Sequence, residues 1–108
     1  MSKIFYDHLI FFEEITAELD NYQISVEERR EISSLADETM HHRILNVILK
    51  NLPKEKHEAF VRRLHQAPHD RNLLEDLKKD AADIEKKITA EAKKVRKEII
   101  AEIKKAAV

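Results

Sequence analysis

Residues 72–107 read NLLEDLKKDAADIEKKITAEAKKVRKEIIAEIKKAA, and the spacing of their apolar positions decides the fold. Leu73, Leu77, Ala81, Ile84, Ile88, Ala92, Val95, Ile99, Ile103 and Ala106 recur at steps of four, four and three. That is an eleven-residue period, about 3.67 residues per turn, so the seam runs nearly parallel to a helix axis or drifts right-handed. A heptad would drift the other way. No Gly or Pro interrupts the stretch, and off the seam it is nearly all Lys, Glu, Asp and Ala, residues at home on exposed helix. One unbroken helix of this length would reach roughly 54 Å, more than the width of a domain this small. The expectation is a continuous C-terminal rod whose apolar edge outruns its own globule and needs a further surface.

Upstream, three shorter helices are expected. The first covers Lys3 to Asp20, with apolar stripes Ile4–Phe11–Ile15 and Phe5–Leu9–Phe12–Leu19. A face that broad is buried on more than one side. Asp20-Asn21 closes it. Ser25 followed by Glu28 is a capping box that opens a second helix. Its far end, Ile44-Leu45-Asn46-Val47-Ile48-Leu49, is apolar nearly all round and marks the centre of the core, with a local break allowed for near Met40 to Arg43. Pro53 ends it near Asn51 and starts the third helix, which runs through Phe60 and Leu64 to about Gln66. Pro68 ends that one, and Asn72 with Glu75, or Asp70 alone, caps the fourth. The fold class read from this pattern is all-α: a three-helix head over residues 1–70 and a long amphipathic helix over 71–108, one domain in all.

Composition narrows the function. The chain has 108 residues, 43% hydrophobic and 38% charged, with no Gly, two Pro and no Cys. A cysteine-free chain has no disulfide framework and no thiol chemistry, and one without glycine cannot build a glycine-rich phosphate loop. No apolar run approaches the roughly 18 residues that cross a bilayer, and Met1-Ser2-Lys3 leads straight into Ile4-Phe5-Tyr6-Asp7 without the features of a signal peptide. A cytoplasmic location is the expectation. The formal net charge of -1 conceals an acidic front and a basic rear. Residues 1–42 hold ten acids against Lys3, Arg29 and Arg30; residues 84–108 hold eight bases against four acids. Such polarity favours folding back or head-to-tail pairing.

Catalytic chemistry finds little footing. Paired acids such as Glu13-Glu14 and Glu27-Glu28 read as solvated faces, and no serine stands in a nucleophile elbow. Glu38-x-x-His41 puts a carboxylate and an imidazole on one helix face, as in carboxylate-bridged di-iron bundles. The companion Glu-x-x-His that such a centre needs is missing from the sequence. Asp37–His41 and Glu38–His42 are also i,i+4 partners, which explains the cluster as surface electrostatics. No enzyme, cofactor or metal is expected.

The series Leu52-Pro53-Lys54-Glu55-Lys56-His57-Glu58-Ala59-Phe60, then Leu73-Leu74-Glu75-Asp76-Leu77, then Asp83-Ile84-Glu85-Lys86-Lys87-Ile88 resembles a family of short, uncharacterised helical proteins from ultra-small bacteria. The likeness spans roughly residues 15–100 and includes the Glu-rich helix start Val26-Glu27-Glu28-Arg29-Arg30. Ala82 stands where that family often has proline before Asp-Ile. The resemblance implies an all-helical fold and no established activity. The C-terminal stretch is separately similar in pattern to the stalk helices of rotary ATPases.

The functional expectation is a non-enzymatic helical interaction protein. Its seam, Ile84, Ile88, Val95, Ile99 and Ile103, would pair with a second copy, a dimer being favoured, or with a partner helix. The alternative is a peripheral binder of anionic surfaces, membrane or nucleic acid, through Lys86, Lys87, Lys93, Lys94, Arg96, Lys97, Lys104 and Lys105.

Overall fold

The computed structural model describes residues 4–106. The expected helix start at Lys3 and helix end at residue 107 lie outside the described residues. Every regular element among those described is helical: α1 (Asp7–Ile10), α2 (Glu13–Leu19), α3 (Val26–Asn51), α4 (His57–Gln66), α5 (Asn72–Asp80) and α6 (Ile84–Ala106), with one 3₁₀ turn over Lys54–Lys56. Six helices stand where four were expected, because two of the expected ones are broken.

The first break falls at Phe11, which takes the left-handed conformation at φ 48°, ψ 51°. A bulky residue avoids that region, so the surroundings must hold it there. Arg96 supplies part of the hold. Its guanidinium lies 5.5 Å from the centre of the Phe11 ring and donates to the Ile10 carbonyl oxygen at 2.7 Å and to Glu14 at 2.6 Å. The turn resolves the problem posed by the two apolar stripes. A straight helix could not bury both, whereas α1 and α2 turn Tyr6, Ile10, Ile15 and Leu19 inward separately.

The second break replaces the expected rod. Helix α5 ends at Asp80, Ala81 is extended (φ -143°, ψ 92°), and a turn over 82–83 leads into α6. Helix α6 then lies antiparallel along α3: Asn51 meets Lys87, and Arg43 bridges Glu91 and Glu98. Breaking the helix forfeits a few backbone hydrogen bonds, each worth about 1 kcal/mol net. In exchange Ile84, Ile88 and Val95 become fully buried, at about 1.5–3 kcal/mol each. Burial wins. The long axis of the molecule is 46 Å, shorter than an unbroken rod would be.

Of the other helix ends, the third helix starts later than expected, since Pro53 precedes the 3₁₀ turn and α4 begins only at His57. Ser25 caps α3, its hydroxyl accepting the Glu28 amide at 3.0 Å. Helix α3 runs unbroken through Met40–Arg43 to Asn51. Asp70 rather than Asn72 caps α5, accepting the Asn72 amide at 3.0 Å. One continuous core joins α1, α3, α5 and α6 around Met40, Ile44, Ile48, Leu73, Ile84 and Ile88. Phe5 is edge-on to both Tyr6 and Phe60, tying the N-terminus to α4. Ion pairs Lys56–Asp80 and Arg63–Asp76 fasten α4 to α5.

Candidate interaction groove and charged face

The core is not closed along its whole length. Around Ile44, Ile48, Ile84 and Ile88 every side of the α3–α6 pair is covered, and these side chains are fully buried. Toward the start of α3 and the end of α6 the cover ends. Ile32, Ile99 and Ile103 are only half-buried there, and Leu35 is 64% exposed. The result is an open groove of about 560 Å³. Its floor is Ala36, Ile32, Ile99 and Ile103; Leu19, Tyr22 and Ile24 close one end, and Leu35, Thr39, Glu28, Glu98, Glu102 and Ala106 complete the walls. From Glu28 to Thr39 it follows α3 for roughly 17 Å, about three helical turns.

Local sequence explains each wall. The α2–α3 link is held across the end of the groove by Asp20–Arg29 at 2.5 Å and by the Tyr22 hydroxyl donating to Glu18 at 2.7 Å. That hydrogen bond pushes the Tyr22 phenol above its ordinary value. On the α6 wall, Glu98 shares Arg43 with Glu91, both at 2.8 Å, and these bonds hold the guanidinium pKa above its usual value. No ion pair involves Glu28 or Glu102 among the described residues. A smaller hollow of about 270 Å³ between α4 and α5 lies beside Phe60 and Leu77, flanked by both partners of the Lys56–Asp80 and Arg63–Asp76 pairs.

The residues of the expected seam part company. Ile84, Ile88 and Val95 are consumed by the chain's own core and offer nothing to a partner. Only Ile99 and Ile103 reach the groove. Periodicity alone cannot separate the two groups, since both lie on one helix face.

The eight basic residues divide as well. Arg96 is committed to Ile10, Phe11 and Glu14, and Lys87 to Asn51 and Asp83. Lys86, Lys93, Lys94, Lys97, Lys104 and Lys105 are exposed. Lys86, Lys93, Lys97 and Lys104 are seven, four and seven residues apart, which places them on one line along the helix. The four α6 glutamates do not interrupt that line. Glu85 pairs with Lys78 at 3.0 Å, Glu91 and Glu98 with Arg43, and Glu102 lines the groove.

His41 has partners that only the fold reveals. Its Nδ1 is hydrogen-bonded to the Tyr6 hydroxyl at 2.5 Å, and its Nε2 lies 3.1 Å from Asp37. Burial pushes the Tyr6 phenol far above its ordinary value of 10.0, with the nearby Asp7 and Asp37 charges adding to the effect. Glu38 and His42 remain exposed beside it, and no three metal-ligating side chains converge among the described residues. None of the described helices is long and apolar enough to cross a membrane.

No protein-family model, curated protein or solved structure matches this chain.

Proposed function

We propose that this is a non-enzymatic interaction module whose α3–α6 groove receives one amphipathic helix of a partner. The observation that carries the reading is the uncovered apolar wall: Leu35 is 64% exposed and lines the same groove as Ile32, Ile99 and Ile103. Three turns of helix fit its length. A visiting helix with apolar residues at i, i+3, i+4 and i+7 would complete the helix-in-groove arrangement. The groove volume lies within the range of pockets that bind ligands.

The test is a neutral amphipathic peptide of about 14 residues, with that apolar face and glutamine on its flanks. In a titration followed by amide chemical shifts, the reading expects changes at Ile32, Leu35, Ile99 and Ile103. L35D should abolish them while circular dichroism stays unchanged. Shifts confined to α4 and α5, or none at all, would remove the groove as the docking site.

A second reading follows from the unneutralised lysine line on α6: contact with an anionic surface. The segregation of lysines from all four α6 glutamates favours it. Nothing in that line is aromatic or apolar enough to enter a bilayer or stack on a base, so any such contact would be electrostatic and would weaken with salt.

A further inference from the structure

We infer that the helix received by this groove is basic on its flanks and belongs to another protein, not to a second copy of this chain. The inference rests on the groove being a docking site and concerns what the site selects. Its charged lining residues are Glu28, Glu98 and Glu102, with no base among them. Helix geometry extends the acidic edge, because Glu31 and Glu38 precede and follow Leu35 by one turn on its outer side, and both are exposed. Arg43 of α3, which pairs with Glu98 of the α6 wall, is already divided between Glu91 and Glu98. An apolar floor between two acidic edges matches an amphipathic helix whose apolar stripe is bordered by Lys or Arg.

The same charges argue against self-association through this face. In a twofold pairing of groove with groove, Leu35 and Ile103 would be covered, but Glu28 and Glu102 would face a second set of acids. Like charges so placed cost affinity and set specificity against that partner. The lysine line of Lys86, Lys93, Lys97 and Lys104 runs along α6 on the side away from the Ile99–Ile103 wall and does not reach those acids.

Three peptides with one apolar face and flanks of Lys, Gln or Glu decide the matter, their affinities for the intact chain read by fluorescence anisotropy. At low salt the Lys-flanked peptide should bind about tenfold more tightly than the Glu-flanked one. That gap should close near 1 M salt, where the screening length falls to about 3 Å. It should also close in a variant carrying E28Q, E31Q and E102Q, all exposed positions. Equal affinities, or a gap that survives in the variant, overturn the inference and leave docking standing. Failure of all three peptides to bind removes the docking reading and the inference with it. Sedimentation adds the remaining arm: a dimer that L35D converts to a monomer would give the groove to a second copy and overturn the inference.

Discussion

Tyr6 is the largest fully buried side chain with a titratable group, and its hydroxyl has one partner, His41 Nδ1. That hydrogen bond joins two side chains and is worth about 1 kcal/mol net, so Y6F should lower unfolding stability by about that amount. The phenol also sets an alkaline limit. In the unfolded chain it ionises near 10, whereas in the folded protein burial keeps it neutral well beyond that. Below pH 10 both states hold the proton and the contribution is constant; above it only the unfolded state releases the proton, so stability falls as pH rises. Urea midpoints should therefore drop from about pH 10 upward in the natural chain and much less steeply in Y6F. If both chains decline alike, the phenol is not the group responsible. At the acid end the sense reverses. The Arg63 hydrogen bond holds the Asp76 carboxyl below its ordinary value, so the α4–α5 link contributes fully above that ordinary value and is lost as pH falls through the lower value of the folded state. Of the His41 contacts, only that to Asp37 could be read from the sequence, being one turn away. Tyr6 lies 35 residues distant, and only the fold brings it near.

Between residue and fold, the informative element is the turn joining α5 to α6. The Ile84 amide donates to the Ala81 carbonyl oxygen at 3.0 Å, which makes residues 81–84 a β-turn with Ala82 at its second position, where proline is favoured. Ala81 is already extended, as a residue before proline prefers, and among the described residues the Ala82 amide makes no hydrogen bond to a backbone carbonyl. A82P should therefore leave the helical content unchanged and alter stability by less than about 1 kcal/mol, with a gain the favoured direction. In a continuous helix the same substitution would cost about 3 kcal/mol or more, so one thermal or urea melt separates the two geometries. This break was hidden for a specific reason. Ala81 and Ile84 are three residues apart, so a short turn keeps the apolar pattern in phase, and a broken seam reads like an intact one. Asp83 before Ile84 is a residue type suited to a helix cap, but inside an apolar pattern that stays in phase it did not mark a helix start. Where the pattern was backed by a terminator of its own, at Ser25, Pro53 and Asp70, the helix ends were legible. Core depth along α6 was not, because the period gives the face and not what lies over it. Ile88→Ala should cost about 2–5 kcal/mol, while Ile103→Ala, at the half-open end, should cost clearly less. Comparable losses would mean that the groove is closed in solution.

Across the whole molecule, charge is sorted by face more than by segment. An acidic front and a basic rear favour folding back or head-to-tail pairing, and α6 does return along α3. The contact that fixes it does not use the acidic front, however: Arg43, just past that front, grips Glu91 and Glu98, two of the few acids of the basic rear. The bulk polarity was legible; the contact was not, since it depends on which residues of α6 meet α3. Withdrawing those glutamates leaves the lysines unopposed on the outside. Lys86, Lys93, Lys97 and Lys104 then form a line about 27 Å long. If this line meets an anionic surface, the attraction must be additive and screened. On duplex DNA, four neutralised phosphates would give a slope of about -3.6 in log affinity against log salt. The doubly substituted K93Q/K97Q chain should lose about half of that slope, with its melting temperature little changed. On vesicles of anionic lipid the same variant should lose roughly 2 kcal/mol, about 1 for each lysine. These two titrations also separate the targets, because a line of lysines without apolar anchors should bind a surface only while its charge density is high. Retention of full affinity by K93Q/K97Q on both, or affinity that ignores salt, would reduce the line to a solvated helix face and leave the acidic groove as the one surface with a partner to find.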